Sequence, residues 1–403
     1  MNPKTYSHPE LLKKLPHEVK TLFKVFNDEI RLVGGSVRDL LLEKEVKDYD
    51  FATPFLPDQI IKILEKNKIK AVPTGIKFGT ITAVVNRKNF EITTLRKDAE
   101  TDGRHCQPEF IDDYFFDAAR RDFTINALYL DAVGVVYDYF DGIADLKNQQ
   151  VRFIGNAEER IKEDFLRILR FFRFSGKYAL ELDLKGLEAC VKQKKNIKKL
   201  SRERVRAEFL KIILGTGKEN LIAILKTLEN TKIAAEIFSS SLDIQGLERL
   251  CEIAEKLRFS ADLNLKIAVL FLQNQLDFKI FFKEICATNL EKKYFTFLLV
   301  KGGQTLDLKR LLAFEEKSLV LDLYLLDLVK NSGVIKLPEA QENIKFLQEF
   351  ILPAFPLTSV DLIKIGFEGR DLGEAIKRAK MLWVESDFKI GGDGLVKLLV
   401  KKK

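Results

Sequence analysis

Strand-forming signals are confined to the front of this chain, and that asymmetry constrains its fold more than any other feature of the 403 residues. Up to about residue 145 the texture is mixed: a short β-like run at Ile30 to Val33, a Gly34-Gly35 turn, and a helical stretch through Arg38 to Leu42. Two β-branched runs follow, Gly79 to Val85 and Phe90 to Leu95, separated by Asn86-Arg87-Lys88-Asn89, a hairpin signal. After residue 155 apolar residues recur at three and four positions through Glu158 to Phe174, Arg202 to Leu214 and Glu219 to Leu228. The pattern predicts an α/β head followed by an all-helical rear, and roughly 150 residues per domain predicts two to four domains.

Composition narrows the chemistry. No apolar run reaches the roughly 18 residues of a membrane-spanning helix, and MNPKTYSHPELLKKLPHEVK lacks the uncharged core of a secretory signal, so the expected compartment is the cytosol. Cys106, Cys190, Cys251 and Cys286 form no CxxC pair, which argues against structural zinc and a disulfide framework. The only histidines are His8, His17 and His105, so catalysis is expected from carboxylates, arginines and a diffusible cation. Lysine plus arginine is 67 against 59 acidic residues, a net charge of +8, which favours a polyanionic partner without establishing one.

The sharpest local feature is LVGGSVRDLLLEKEVKDYDFAT, from Leu32 to Thr53. A β-like entry, Gly34, Gly35 and a helix beginning near Ser36 gather backbone N–H groups and a positive helix end where a phosphate would sit, with Arg38 one turn further in. If Val46 to Ala52 is a strand, Asp48 and Asp50 project from one face while Tyr49 and Phe51 enter the core. Two adjacent carboxylates suit either a surface turn or a divalent cation between them. In the second hairpin strand Glu91 shares a face with Thr93, opposite Phe90 and Ile92, and is either a third carboxylate of the site or a solvated glutamate.

Three further segments carry charge in a pattern. In Arg120-Arg121-Asp122 adjacent guanidiniums suit a triphosphate, with Asp122 orienting one of them, or form a surface ion-pair cluster; Asn126 follows one turn later, in reach of a ribose hydroxyl. Read as one helix at about 100° per residue, Glu158 to Phe174 gathers Ile161, Phe165, Ile168, Leu169, Phe171 and Phe172 into an apolar stripe. Asp164 then lies at the stripe's edge beside Arg167, and Arg170 and Arg173 fan along the same side. Arg96 to Phe116, holding Asp98, Asp102-Gly103-Arg104-His105 and Asp112-Asp113, is polar and aperiodic, with the length of a functional loop.

Gly34-Gly35-Ser36-Val37-Arg38-Asp39 followed by Asp48-Tyr49-Asp50 resembles the signature of polymerase-β-type nucleotidyltransferases, specifically the class II tRNA nucleotidyltransferases (CCA-adding enzymes) and bacterial poly(A) polymerases. RRDFTINA from Arg120, Asp141-Gly142 with Asp145-Leu146, and EDFLRILRFFR from Glu163 recur in the family's order. The resemblance runs most clearly from about residue 30 to 215; beyond it, Leu372-Gly373 and Trp383 to Phe388 are similar to the family's C-terminal region. It implies an α+β fold: a nucleotidyltransferase head with a small mixed sheet (1–145), then a helical neck (146–215), body (216–310) and tRNA-binding tail (311–403).

The resemblance also implies roles. Asp48 and Asp50 would hold two Mg²⁺, with Glu91 a candidate third catalytic carboxylate. Gly34, Gly35, Arg38, Arg120, Arg121, Asp122 and Asn126 would bind the nucleotide's phosphates and sugar. Asp164 and Arg167 would template the base, supported by Arg170 and Arg173. Cytosine and adenine both present an amine donor beside a ring-nitrogen acceptor, which one carboxylate and one guanidinium satisfy. Uracil and guanine invert the pattern, at a cost of about 1–3 kcal/mol per mispaired group. Substrates would be CTP, ATP and a tRNA held mainly through its phosphates. The family assigns the Arg96 to Phe116 loop to the switch from C to A. The alternatives are a poly(A) polymerase, a CC-only or A-only tRNA enzyme, or a non-catalytic RNA-binding protein; no attached phosphohydrolase is expected.

Overall fold

The computed structural model describes residues 2–98, 108–271, 277–302, 307–331 and 336–400, and the chain falls into two compact units, Met1–Phe238 and Ser239–Lys403. The strands are β1 (Lys4–Ser7), β2 (Arg31–Val33), β3 (Asp50–Thr53), β4 (Lys70–Gly75), β5 (Thr80–Val85), β6 (Lys88–Thr94), β7 (Arg96–Asp98), β8 (Pro108–Phe110), β9 (Leu128–Leu130) and β10 (Val135–Asp138). Eight of them form one sheet in the order β1-β10-β9-β2-β3-β6-β5-β4, while β7 and β8 pair separately. Within the large sheet only β3 and β6 run parallel, and their register sets Asp50 opposite Glu91.

The first unit's helices are α1 (Leu11–Lys14), α2 (His17–Val25), α3 (Gly35–Leu41), α4 (Pro57–Lys66), α5 (Tyr114–Ala119), α6 (Gly142–Lys147), α7 (Ala157–Glu163), α8 (Arg167–Tyr178), α9 (Leu184–Gln193), α10 (Arg202–Gly215) and α11 (Lys218–Asn230). One core contains Val19, Leu22, Phe51, Ile60, Leu64, Ile81 and Ile92, all buried; a second joins Val33, Ala52, Leu95, Ala118, Ala127, Tyr129 and Ile154. Each large apolar side chain so buried contributes about 1.5–3 kcal/mol. Phe123 stacks against Phe153 at 4.8 Å and Phe174 at 5.3 Å, fastening α8 to the segment after α5.

Among its described residues, the second unit's regular elements, from Ile244 to Val400, are all helices, so the expected division into a mixed head and a helical rear holds. Trp383 is buried among Leu357, Leu362, Ala375, Ala379, Leu395 and Leu399. The boundary after Phe238 falls inside the stretch 216–310 expected as the body. Its first helix, α11, belongs with the head and neck, Asn220 donating to the Gly176 carbonyl at 3.1 Å.

Three local expectations change. The hairpin turn has two residues rather than four: Asn86 and Arg87 both take positive φ, and Lys88 and Asn89 already pair with Val85 and Val84. The strand expected from Val46 begins only at Asp50. The chain before it finds no ladder partner because β2 is three residues long and Gly34, at φ +71°, turns the backbone away. The helix expected from Glu158 to Phe174 is broken at Asp164, which takes extended angles of φ −151° and ψ 107°. Its carboxylate accepts from the Leu166 N–H at 3.1 Å, a local bond that competes with helix continuation and starts α8 afresh.

Candidate active site

Asp50 opens β3 and Asp48 sits two residues before it in unpaired chain, both exposed. Glu91 lies beside Asp50 on the next strand, about 4.8 Å away across the ladder, and points to solvent while Phe90 and Ile92 are buried, as the alternation predicts. The three carboxylates feel one another. Burial of its surroundings, then the charges of Glu91 and Asp48, push the Asp50 carboxyl up to about 6 against an opposing pull from Arg121. Among the described residues no three acidic, cysteine or histidine side chains form a ready-made metal cage.

Arg121 connects this group to the glycine turn. A Cβ on Gly34 would lie 3.1 Å from the Arg121 Nη1, and Gly34 also needs its positive φ, so two constraints converge on the first glycine. Arg120 and Arg121 are oriented by a residue sequence reasoning passed over. Asp117, 1% exposed, accepts from Arg120 at 2.7 Å, Arg121 at 3.2 Å and the Tyr129 hydroxyl at 2.7 Å. Burial opposes its ionisation, but the two guanidiniums and Tyr129 outweigh that and hold it at about 2. The signal was in the sequence, since Asp117 precedes the arginines by three and four residues on one helical face.

Asp122, expected to orient one of those arginines, instead faces the neck. It accepts two bonds from Arg170 at 2.6 and 2.7 Å, and from Asn126 at 3.0 Å. Asn126 in turn accepts from Arg38. Arg38 itself is buried: it pairs with Asp39 at 2.9 Å and lies over the Tyr178 ring at 4.3 Å, so its guanidinium has partners within the fold. Arg173 binds the buried Glu208 at 2.6 Å, and Arg170 lies 3.9 Å from the same carboxylate. One chain of contacts thus runs from the glycine turn through Asn126 and Asp122 to α8 and α10. Glu208, 35 residues from Arg173, carried no local signal.

Asp164 and Arg167 meet through the backbone, the Arg167 N–H donating to the Asp164 carbonyl at 2.9 Å, while their side chains take other partners. Arg167 donates to the Arg160 carbonyl at 2.7 Å and the Arg120 carbonyl at 3.0 Å, and bonds Glu163. Asp164 receives Arg204 of α10 at 2.7 Å. The Asp141-Gly142 and Asp145 motif is architectural: buried Asp145 binds Arg152 at 2.8 Å and Thr124, and a Cβ on Gly142 would meet the Thr124 carbonyl oxygen at 2.3 Å. The stretch Arg96 to Phe116, expected as an aperiodic loop, has regular structure at its ends: Arg96–Asp98 and Pro108–Phe110 pair as β7 and β8, and α5 starts at Tyr114; Asp102, Gly103, Arg104 and His105 lie outside the described residues. Asp113 caps α5, accepting from the Phe115 N–H at 2.8 Å.

A mixed sheet that presents two aspartates and a glutamate beside a glycine turn, with paired arginines behind, defines a nucleotidyltransferase head. Residues 30–152 match the family model described as "Poly A polymerase head domain", and residues 180–242 the one described as "Probable RNA and SrmB- binding site of polymerase A". The chain is 33% identical over 393 residues to the CCA tRNA nucleotidyltransferase 1, mitochondrial, of Danio rerio, covering 94% of this chain and 88% of that one. It belongs to the CCA tRNA nucleotidyltransferase family. Its fold is that of the Bacillus stearothermophilus CCA-adding enzyme solved in complex with CTP (TM-score 0.75, 22% identity, 96% of each chain). The Thermotoga maritima CCA-adding enzyme complexed with tRNA shares it too (TM-score 0.70, 18% identity, 100% of each chain).

Proposed function

We propose that this chain adds C, C and A to the 3′ end of tRNA from CTP and ATP, without a nucleic-acid template. The tRNA 3′-hydroxyl attacks the α-phosphorus in line, a P–O bond to the new nucleotide forms, the bond to the bridging oxygen breaks, and pyrophosphate leaves with the hydroxyl proton passing to solvent. The observation that carries the reading is the Asp48, Asp50 and Glu91 group, set by the β3–β6 register beside Arg121 and Gly34, in a chain of this family.

The donors fit a hard divalent cation. Mg²⁺ is typically bound by one or two carboxylates together with substrate phosphates, not by an all-protein cage, and the crowding that raises the Asp50 pKa is relieved by positive charge. Two Mg²⁺ ions held by Asp48 and Asp50 would supply hydroxyl activation and charge neutralisation on the triphosphate. Glu91 would add negative potential beside them. Arg120 and Arg121, held in place by Asp117, would bind the phosphates near the Gly34-Gly35 turn. Arg38, Asp122 and Asn126 would keep that turn in register with the neck, and Arg170 and Arg173 would lock α8.

Base choice would fall to Asp164, accepting from the exocyclic amine, and Arg167, donating to the ring nitrogen, once Arg167 turns from the Arg120 and Arg160 carbonyls toward the base. The working division is the expected head (1–145), neck (146–215), body (216–310) and tRNA-binding tail (311–403), with 216–238 moved from the body to the neck. No helix among the described residues is long and apolar enough to cross a membrane. The compartment we propose is the cytosol, where a buried thiol such as that of Cys190 stays reduced.

The deciding experiment offers tRNA lacking its last three nucleotides with each nucleoside triphosphate alone and with CTP and ATP together, then reads the 3′ end. The expected product is CC with CTP alone and CCA with both. Long A tracts on arbitrary RNA would identify a poly(A) polymerase instead, and no incorporation would leave an RNA-binding protein.

A further inference from the structure

Arg204 and Glu208 stand one turn apart on α10, and both reach toward the neck segment that carries the arginine fan. Glu208 takes Arg173; Arg204 takes Asp164, its Nη2 lying 2.7 Å from Oδ2. The second contact falls at the break between α7 and α8, where Asp164 is extended and its carbonyl accepts from the Arg167 N–H at 2.9 Å. The carboxylate is not left to rotate freely. Its two oxygens are instead held from two directions, Oδ1 by the Leu166 N–H at 3.1 Å and Oδ2 by Arg204. Each oxygen keeps a second lone pair, so the plane of the carboxylate is set while acceptor capacity remains.

We propose that Arg204 is a positioning residue for base selection, orienting the Asp164 carboxylate so that it can accept an exocyclic amine. The inference rests on the reading of Asp164 as that acceptor. Arg204 touches neither substrate nor metal in this account. It acts through Asp164 alone, so its effect belongs in the choice between bases and in nucleotide KM more than in kcat. A half-exposed ion pair with no such role would change neither choice nor KM on removal, and would shift the melting temperature little.

The experiment uses the full chain and a tRNA ending in CC, and measures kcat and KM for ATP and GTP separately in wild type, Arg204→Ala, Arg204→Lys, Asp164→Ala and the double variant. The proposal expects the ATP-to-GTP ratio of kcat/KM to fall roughly fivefold in Arg204→Ala, the scale of one partly exposed ion pair. The loss should sit mainly in the ATP KM, with Arg204→Lys restoring most of it and an unchanged melting curve. In the double variant the ratio should be no worse than in Asp164→Ala. If Asp164→Ala relaxes the ratio and Arg204→Ala leaves it at the wild-type value, Arg204 has no such role and the reading of Asp164 stands. If Arg204→Ala lowers the ratio by the same factor with Asp164 absent, Arg204 acts by another route and the proposal is wrong. If Asp164→Ala keeps the wild-type ratio, the reading of Asp164 fails and the proposal with it.

Discussion

At the scale of single residues, two carboxylates of the head are shifted in opposite directions by their surroundings. Asp50 is pushed up to about 6, so the folded protein holds its proton more tightly than the unfolded chain does. In metal-free protein its contribution therefore favours folding at acid pH and is lost as pH rises from about 4 through about 6. Asp50→Asn should abolish nucleotide incorporation yet melt higher than the metal-free wild type at pH 7.5, the gap closing below about pH 4. Added Mg²⁺ should raise the wild-type melting temperature and leave the variant's unchanged; equal responses would remove Asp50 from the metal site. Asp117 behaves inversely. Its pKa of about 2 means its contribution is complete above about pH 4 and is lost as pH falls toward 2. Asp117→Asn should cost about 3–5 kcal/mol by denaturant titration at neutral pH, because two guanidiniums lose a buried partner. It should also raise KM for both CTP and ATP, and its stability should vary less than wild type between pH 4 and 2.

At the scale of elements, the turn into α3 and the connection between β7 and β8 have different tolerances. Gly34 combines φ +71° with ψ −122°, a region closed to side-chain-bearing residues, and Arg121 crowds its Cβ direction. Gly34→Ala should therefore cost about 1–3 kcal/mol of stability. It should lower incorporation of C and A alike, because the displaced arginine is the one proposed to bind every triphosphate; a selective loss of A would contradict that. Shortening the chain within Asp98 to Asp112 is expected to do the reverse. A pocket that takes cytosine and then the larger adenine must change shape between additions, and a polar, aperiodic segment beside the head is a suitable lever. With CTP and ATP both present, the shortened protein should accumulate ends at CC. Equal loss of C and A would show that the segment has no part in the switch.

At the scale of the molecule, the net charge of +8 suits a polyanion. Affinity for tRNA should fall linearly in log–log form with added salt, at a slope of roughly −0.7 to −0.9 per phosphate contact neutralised. Asp48→Ala should leave that slope and affinity near wild type, since the role proposed for Asp48 lies in the chemical step. A binding constant indifferent to salt would mean that base or shape contacts, not phosphates, hold the RNA.

The amino-acid order alone determined the mixed head and helical rear, the outward placement of Glu91 against Phe90 and Ile92, and the likeness that brought Asp48, Asp50 and the arginines together as candidates. Those are properties of period, local turn chemistry and motif, which operate over a few residues to a few tens. Tertiary structure alone decided which carboxylate each arginine meets. Arg120 and Arg121 had Asp122 nearer in sequence than Asp117, yet the fold gave them Asp117 because Tyr129 closes that pocket while Asp122 is drawn to Arg170. Asp164 was read as part of one long helix and became a break, its carboxylate bonding the Leu166 amide locally and Arg204 across the neck. A guanidinium on a helical wheel has only a direction; its partner is set by which element the burial of Phe123, Phe153 and Phe171 brings against it.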